Sequence, residues 1–184
     1  MKKNLGEVNA LYPTPVVLVG TEVDGKVNYI NIAHIGIIDM NTLSLSMHKS
    51  HYSNKGIKEK MTLSINIPSE DMVVEADYVG IVSGMRTDKS NVFESFYGEI
   101  KGAPMIKKAP INMECEVIDI IDMPNHDVFL VRSKNTYCNE EILTNEKIDM
   151  AKVQPMLFDM HLRKYWKLGD AFADCWKVGN MYKK

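Results

Sequence analysis

Apolar runs of strand length, separated by turn residues, set the pattern of this chain. Residues 16–23 form an apolar, β-rich run, and Pro13 and Pro15 ahead of it suit the first positions of a strand better than its interior. Asp24-Gly25 follows, and both residues tolerate positive φ. The pair predicts a hairpin that sets 16–23 antiparallel to a long strand over 27–38. Gly36 inside that strand marks a bulge or a close backbone approach. In 42–48, Leu43, Leu45 and Met47 alternate with Thr42, Ser44, Ser46 and His48, a half-buried strand, and 63–67 repeats the pattern. Between these two, 53–60 reads as a short helix with Ser53 or Asn54 as N-cap.

The second half continues in the same manner. Ser69 followed by Glu70 and Asp71 is a helix start, and Met72, Val73, Ala76, Tyr78 and Val79 supply the buried side of that helix before Ser83-Gly84 ends it. Asn91 with Glu94 three residues on predicts a further short helix. Met113, Cys115 and Val117 alternate with Asn112, Glu114 and Glu116, which predicts a strand with one face towards water. The turn Pro124-Asn125-His126-Asp127 leads into 128–131 as a second hairpin, and 139–149 is a polar surface excursion. Many strands at short spacing with few, short helices predict a mainly β fold, an antiparallel barrel with helical caps, as one domain over 1–184.

Composition narrows the function classes. With 45% hydrophobic and 25% charged residues and a net charge of −2, nothing favours nucleic acid as a partner. No run approaches membrane-spanning length, and Met1 to Glu7 lack a signal-peptide core, so a cytoplasmic location is expected. Cys115, Cys138 and Cys175 are far apart and in no C-x-x-C pair, which argues against a zinc site or a disulfide framework. Cys115 reads as a small core residue, and the 13 methionines as core filling. There is no nucleophile elbow, H-E-x-x-H, Walker loop or G-x-G-x-x-G.

The candidate chemistry gathers around 28–57. The loop His48-Lys49-Ser50-His51-Tyr52-Ser53-Asn54 places cationic and hydroxyl groups where a helix begins, an arrangement suited to a phosphate, and equally that of an ordinary cap beside a solvated lysine. Lys89 in the charged loop 85–90 is a phosphate or ring partner if it folds back, and otherwise a surface lysine in a local pair with Asp88. His126 can donate a hydrogen bond or a proton near neutral pH, and it is the one candidate for a catalytic part. His34, mid-strand among apolar neighbours, reads as a wall residue.

The ordered motifs YPTPVVLVGTEVDGKVN, HKSHYSNKGIKE, LSINIPSEDMVVEADYVGIVSG, DKS, FYGEIKGAPMIKKAPINMECEV, MPNHDVFLV and RKYWKLGD resemble the flavin reductase-like, FMN-binding split-barrel family, nearest to its flavoredoxin branch. The resemblance runs from about Tyr12 to Trp166. It implies a six-stranded antiparallel Greek-key split barrel, a homodimer, and FMN in a groove near the dimer interface. The strand from Asn28 would meet the flavin ring through main-chain groups around Ala33, His34 and Ile35. Ser46, His48, Lys49 and Ser53 would surround the ribityl chain and phosphate. Lys89 and His126 match motif positions as binding and tuning residues, and Tyr165-Trp166 would lie near the ring or the interface. Such relatives commonly carry tryptophan where His34 stands, so exposure and potential of the ring would differ here. The implied activity is electron transfer from NAD(P)H or a reduced redox protein to free flavin, ferric chelate or a partner protein. A non-catalytic FMN electron carrier is the alternative, and a barrel that has exchanged FMN for a ligand such as haem is a third.

Overall fold

The computed structural model describes residues 1–183. Its strands are β1 (Thr14–Pro15), β2 (Val17–Val23), β3 (Lys26–Ile32), β4 (Ile35–Asp39), β5 (Thr42–His48), β6 (Thr62–Ile67), β7 (Ser95–Phe96), β8 (Met105–Ile106), β9 (Ile111–Asp122), β10 (His126–Cys138), β11 (Leu143–Thr144), β12 (Lys147–Ile148), β13 (Met156–Asp159) and β14 (Lys164–Lys167). The α-helices are α1 (Ser53–Lys60), α2 (Val73–Ile81) and α3 (Met150–Val153). The fold is mainly β with few, short helices, as the spacing of apolar runs predicts.

One antiparallel sheet runs β3-β2-β6-β9-β10-β5-β4. Its first and last strands are consecutive in the chain, parted only by Ala33 and His34. Side chains from β2, β3, β5, β6, β9 and β10, with Ile57 of α1, meet in a single core that includes Val19, Ile30, Leu45, Ile65, Cys115 and Phe129. The sheet therefore curls around that core, and its two edges are the halves of one bent stretch. The expected six-stranded barrel is not confirmed, because the ladders count seven strands and none joins β3 to β4. The long strand expected over 27–38 breaks at Ala33-His34, where the chain leaves β2 as partner and takes β5. The Ser46 amide donates to the His34 carbonyl at 2.9 Å at that joint.

Both predicted hairpins are present. Asp24 and Gly25 take φ of 52° and 76° between β2 and β3, and β9 turns into β10 with the Met123 amide on the His126 carbonyl. β2 is buried on both faces, with Val17 and Val19 in the inner core and Leu18, like Val16 just before the strand, in an outer one under α2. That double burial is why 16–23 reads as a continuous apolar run rather than an alternating one. The β9–β10 ladder carries two irregularities, an extra residue of β9 at Ile118 and an extra residue of β10 at Lys134, which bend these two long strands, while the β10–β5 register is regular.

Three expectations are corrected. Residues 91–94 form no helix, since Phe93 turns into the outer core against Tyr29 and Glu94 pairs with Lys107. The polar face of β9 is covered by the 97–106 segment, so Glu114 and Asn112 are buried. Neither Ser53 nor Asn54 caps α1, whose N-cap is Tyr52 without a side-chain bond, because the Ser53 hydroxyl accepts from Asn28 Nδ2 and Asn54 Nδ2 donates to the His48 carbonyl and Asp127. The excursion 139–149 carries a small hairpin, β11–β12, turned by Asn145 and Glu146 at positive φ.

Candidate functional site

The bend between β3 and β4, the end of β5 and the start of β10 converge on one cleft of about 340 Å³. Sheet ends contribute Asn31, Ala33, His34, Ser46, His48 and His126, α2 contributes Asp77, Gly80 and Ile81, and the small sheet β1-β13-β14 contributes Phe158 and Tyr165. Register explains the first group. His126 lies opposite His48 in the β10–β5 ladder, with ring centroids 5.3 Å apart, and His34 comes to 6.2 Å from His126 at the joint. Tyr165 closes the wall, donating its hydroxyl to Asp77 at 2.8 Å and accepting from Asn31 Nδ2 at 3.3 Å.

A groove of about 180 Å³ leads on from this cleft and shares His51, Gly80 and Ile81 with it. It runs between the loop before α1 and the end of α2, past Ser53 to Lys89. Gly84 lets the walls approach, because a Cβ there would collide with Asn28 and the Tyr52 ring. The Asn28 amide donates to Ser53 Oγ at 2.7 Å, which leaves the hydroxyl hydrogen of Ser53 for another acceptor. Asn28 itself lines the next hollow beyond Gly84. Among the described residues the His51, Asn54 and Lys55 amides of this turn donate to the carbonyls of His48, His51 and Tyr52, and the Tyr52 and Ser53 amides between them have no protein acceptor.

Lys89 lies at the end of the groove and is 3% exposed. It folds back on α2, where Nζ donates to the carbonyls of Val79 at 3.1 Å and Val82 at 3.4 Å. Two of its three donors are thus used, on carbonyls at the negative end of the helix. Among the described residues no carboxylate pairs with it, and Asp88 faces Lys26 instead at 2.8 Å. Burial lowers the Lys89 pKa to about 8. A buried ammonium bonded only to neutral carbonyls keeps one donor and an unbalanced positive charge that an anion can meet. Burial likewise pushes the His51 imidazole down, and the positive ends of His48, His126 and Lys89 push it further.

Of the sequence candidates, the fold brings Ala33, His34, Ser46, His48 and His126 into the cleft, and Ser53 and Lys89 into the groove, with Asn28 bonded behind Ser53. Two are not brought in. Lys49 turns outward to pair with Asp122 of the β9–β10 hairpin, and Ile35 packs on the inner core. His51, Asp77, Gly80, Ile81 and Phe158 line the site without having been singled out. His51 stands inside the predicted loop, but nothing local distinguishes α2 as a wall, because which helix crosses the bend of a strand is a tertiary fact.

The family described as flavin reductase like domain matches residues 9–165. The crystal structure of flavoredoxin from Methanosarcina acetivorans is 37% identical, with 97% of each chain covered and a TM-score of 0.94. Flavoredoxin of Desulfovibrio vulgaris (Miyazaki F) is 32% identical over 97% of this chain and all of the other, with a TM-score of 0.90. Nitrilotriacetate monooxygenase component B from Bacillus cereus, at 18% identity and a TM-score of 0.83 over 94% of this chain and 98% of the other, shares the fold. An uncharacterized protein of Aeropyrum pernix is 28% identical over 135 residues, 69% of this chain, and the chain spans about half the length of that curated relative. The family match spans most of the chain and both flavoredoxin structures overlay nearly the whole fold, and the chain belongs to the flavin reductase-like family, on its flavoredoxin branch.

Proposed function

We propose that this protein binds FMN and transfers electrons between NAD(P)H or a reduced redox protein and an acceptor such as free flavin, a ferric chelate or a partner protein. The observation that carries this reading is Lys89, a buried cation without a carboxylate partner, at the far end of a groove that opens into a roomier cleft. Lys89 Nζ, the Ser53 hydroxyl and the amides of Tyr52 and Ser53 suit the flavin phosphate. The cleft among Ala33, His34, Ser46, His126 and Tyr165 suits the ring. Bound flavin supplies hydride and single-electron chemistry. The chain's residues bind and orient it, and the histidines hold or move protons at its edge. Lys49 is left out of this assignment, since its ammonium is engaged by Asp122.

The 37% and 32% identity to two flavoredoxins favours a second reading, an FMN electron carrier without nicotinamide turnover. We read the chain as one cytoplasmic domain that works as a homodimer. The free, separated cysteines support the first part, and exposed Ile37, Met40, Val74 and Ile81 support the second. Among the described residues no helix is long and apolar enough to cross a membrane. The test is reconstitution with FMN followed by anaerobic titration with NADH and NADPH. Protein that stays colourless rejects FMN binding, and a yellow protein that leaves both nicotinamides unoxidised selects the carrier.

A further inference from the structure

The five histidines of this chain fall into one string. His51 stands 6.0 Å from His48 between ring centroids, His48 5.3 Å from His126, and His126 6.2 Å from His34. His34 Nε2 is 2.9 Å from the Tyr12 hydroxyl, and the Tyr12 ring meets His161 edge-on at 5.5 Å. With Tyr12 as the link to His161, five separate places in the sequence converge to make this line, and four of its histidines border the cleft. Its partners are neutral. His48 Nδ1 meets the Ser50 hydroxyl at 2.8 Å, and His51 Nδ1 is buried with no hydrogen-bond partner.

The charged groups around the string explain what such an arrangement does. Among the described residues no carboxylate lies within ion-pair distance of any of these imidazoles. Asp127, next to His126, is engaged by Lys58 at 2.8 Å and Asn54 at 3.0 Å. Asp77 on α2 is engaged by Tyr165, Asp122 by Lys49, and Lys89 adds a positive charge near His51. With no counter-ion, each proton taken up by one imidazole opposes the next. Negative charge arriving in the cleft reverses that balance. The exposed end of the string, Tyr12 and His34, gives protons from solvent a way in.

We propose that the string of His34, His126, His48 and His51 takes up a proton from solvent when flavin bound in the cleft accepts an electron pair. This inference rests on the FMN reading above. A reductant, whether hydride donor or chemical, delivers two electrons. One of the two negative charges is cancelled by the proton bound on the ring, the other by a new N–H bond on an imidazole. Reoxidation returns that proton to solvent. The electron affinity of the site then depends on pH through the protein as well as through the flavin.

The test is potentiometry of the FMN-loaded protein beside free FMN in the same buffers, over roughly pH 7–8, in the upper part of the imidazole range and above the pH at which free reduced FMN takes a second proton on its ring. The potential of the bound flavin is expected to fall more steeply with pH than that of free FMN. The His34→Gln/His126→Gln double variant is expected to bring the slope back to the free value. A bound slope equal to or shallower than the free one overturns the proposal, as does a steep slope untouched by the double variant. If that variant loses flavin, proton uptake by the unsubstituted protein on reduction, read with a pH indicator in weak buffer, decides. Uptake per electron pair above that of free FMN supports the string, and equal uptake overturns it. Failure of the FMN reading would show beforehand, as protein that takes up no flavin.

Discussion

Glu114 and Lys89 are both buried charges, at 0% and 3% exposure, and the protein treats them in opposite ways. Glu114, on β9, receives hydrogen bonds from the Ile100 amide at 3.0 Å, the Glu99 amide at 3.2 Å, Asn135 at 3.0 Å and Tyr137 at 3.1 Å. Burial pushes its carboxyl up, and these donors more than offset that, so its pKa lies below the ordinary value. Its coordination is complete within the chain, and its work is to hold the 97–100 segment over β9. Lys89 receives two carbonyls and no counter-charge. A buried charge satisfied from within is part of the scaffold, and one left short of a partner marks the place a ligand completes.

This contrast predicts opposite outcomes for the two residues. Glu114→Ala leaves two amides, an asparagine and a tyrosine without their acceptor, and the loss of stability is expected at about 3 kcal/mol in urea unfolding. A loss below ~1 kcal/mol would remove Glu114 from the scaffold. Lys89→Ala is expected to weaken FMN binding by about 2 kcal/mol, roughly 30-fold, while the stability of the apoprotein stays level or rises, because an ammonium without counter-ion no longer has to be buried. Flavin titration and unfolding on the same preparations check both halves.

pH separates the two further. The Lys89 pKa is lowered from 10.5 to about 8, so its contribution to apoprotein stability is present above 10.5 and is lost as pH falls towards 8. Apoprotein stability measured between those values should therefore decline towards pH 8, and Lys89→Met should flatten that part of the profile. Glu114 is also shifted down, and so is Asp127, where burial pushes the carboxyl up but the bonds from Lys58 and Asn54 more than offset it. Their stabilisation is present above the ordinary carboxylate range and is lost as pH falls through their folded values, so acid unfolding in Glu114→Gln should begin from a lower plateau. The smallest effect is expected at Lys49, whose ammonium pairs with Asp122 on the surface. Lys49→Ala should cost under ~1 kcal/mol and leave FMN affinity unchanged within error.

How much of this was legible beforehand follows from the range of the forces involved. The hairpin at Asp24-Gly25, the alternation of β5, the helix at 53–60 and the motif order are local signals, and they stand in the structure where the sequence puts them. The burial of Glu114 was not legible, because alternation along β9 reports a polar face but not the 97–106 segment that covers it. The break at Ala33-His34 depends on the sheet curling until β5 can replace β2 as partner, which no window of a few residues contains. The direction of Lys89 was open for the same reason. Its neighbour Asp88 looked like its partner, and the fold gives Asp88 to Lys26, 62 residues away. Lys49 and Lys89 looked alike as charges beside hydroxyls, and only the packing of α2 and of the β9–β10 hairpin separates them.

If Lys89 waits for the phosphate of a flavin nucleotide, a comparison of FMN with riboflavin, which lacks that phosphate, reads it directly. Dissociation constants for both should be measured with the unsubstituted protein and with Lys89→Met. The unsubstituted protein is expected to prefer FMN by at least about tenfold, and that preference to collapse towards unity in Lys89→Met with riboflavin affinity little changed. Equal affinity for the two flavins in the unsubstituted protein, or a preference for FMN that survives the substitution, would contradict it.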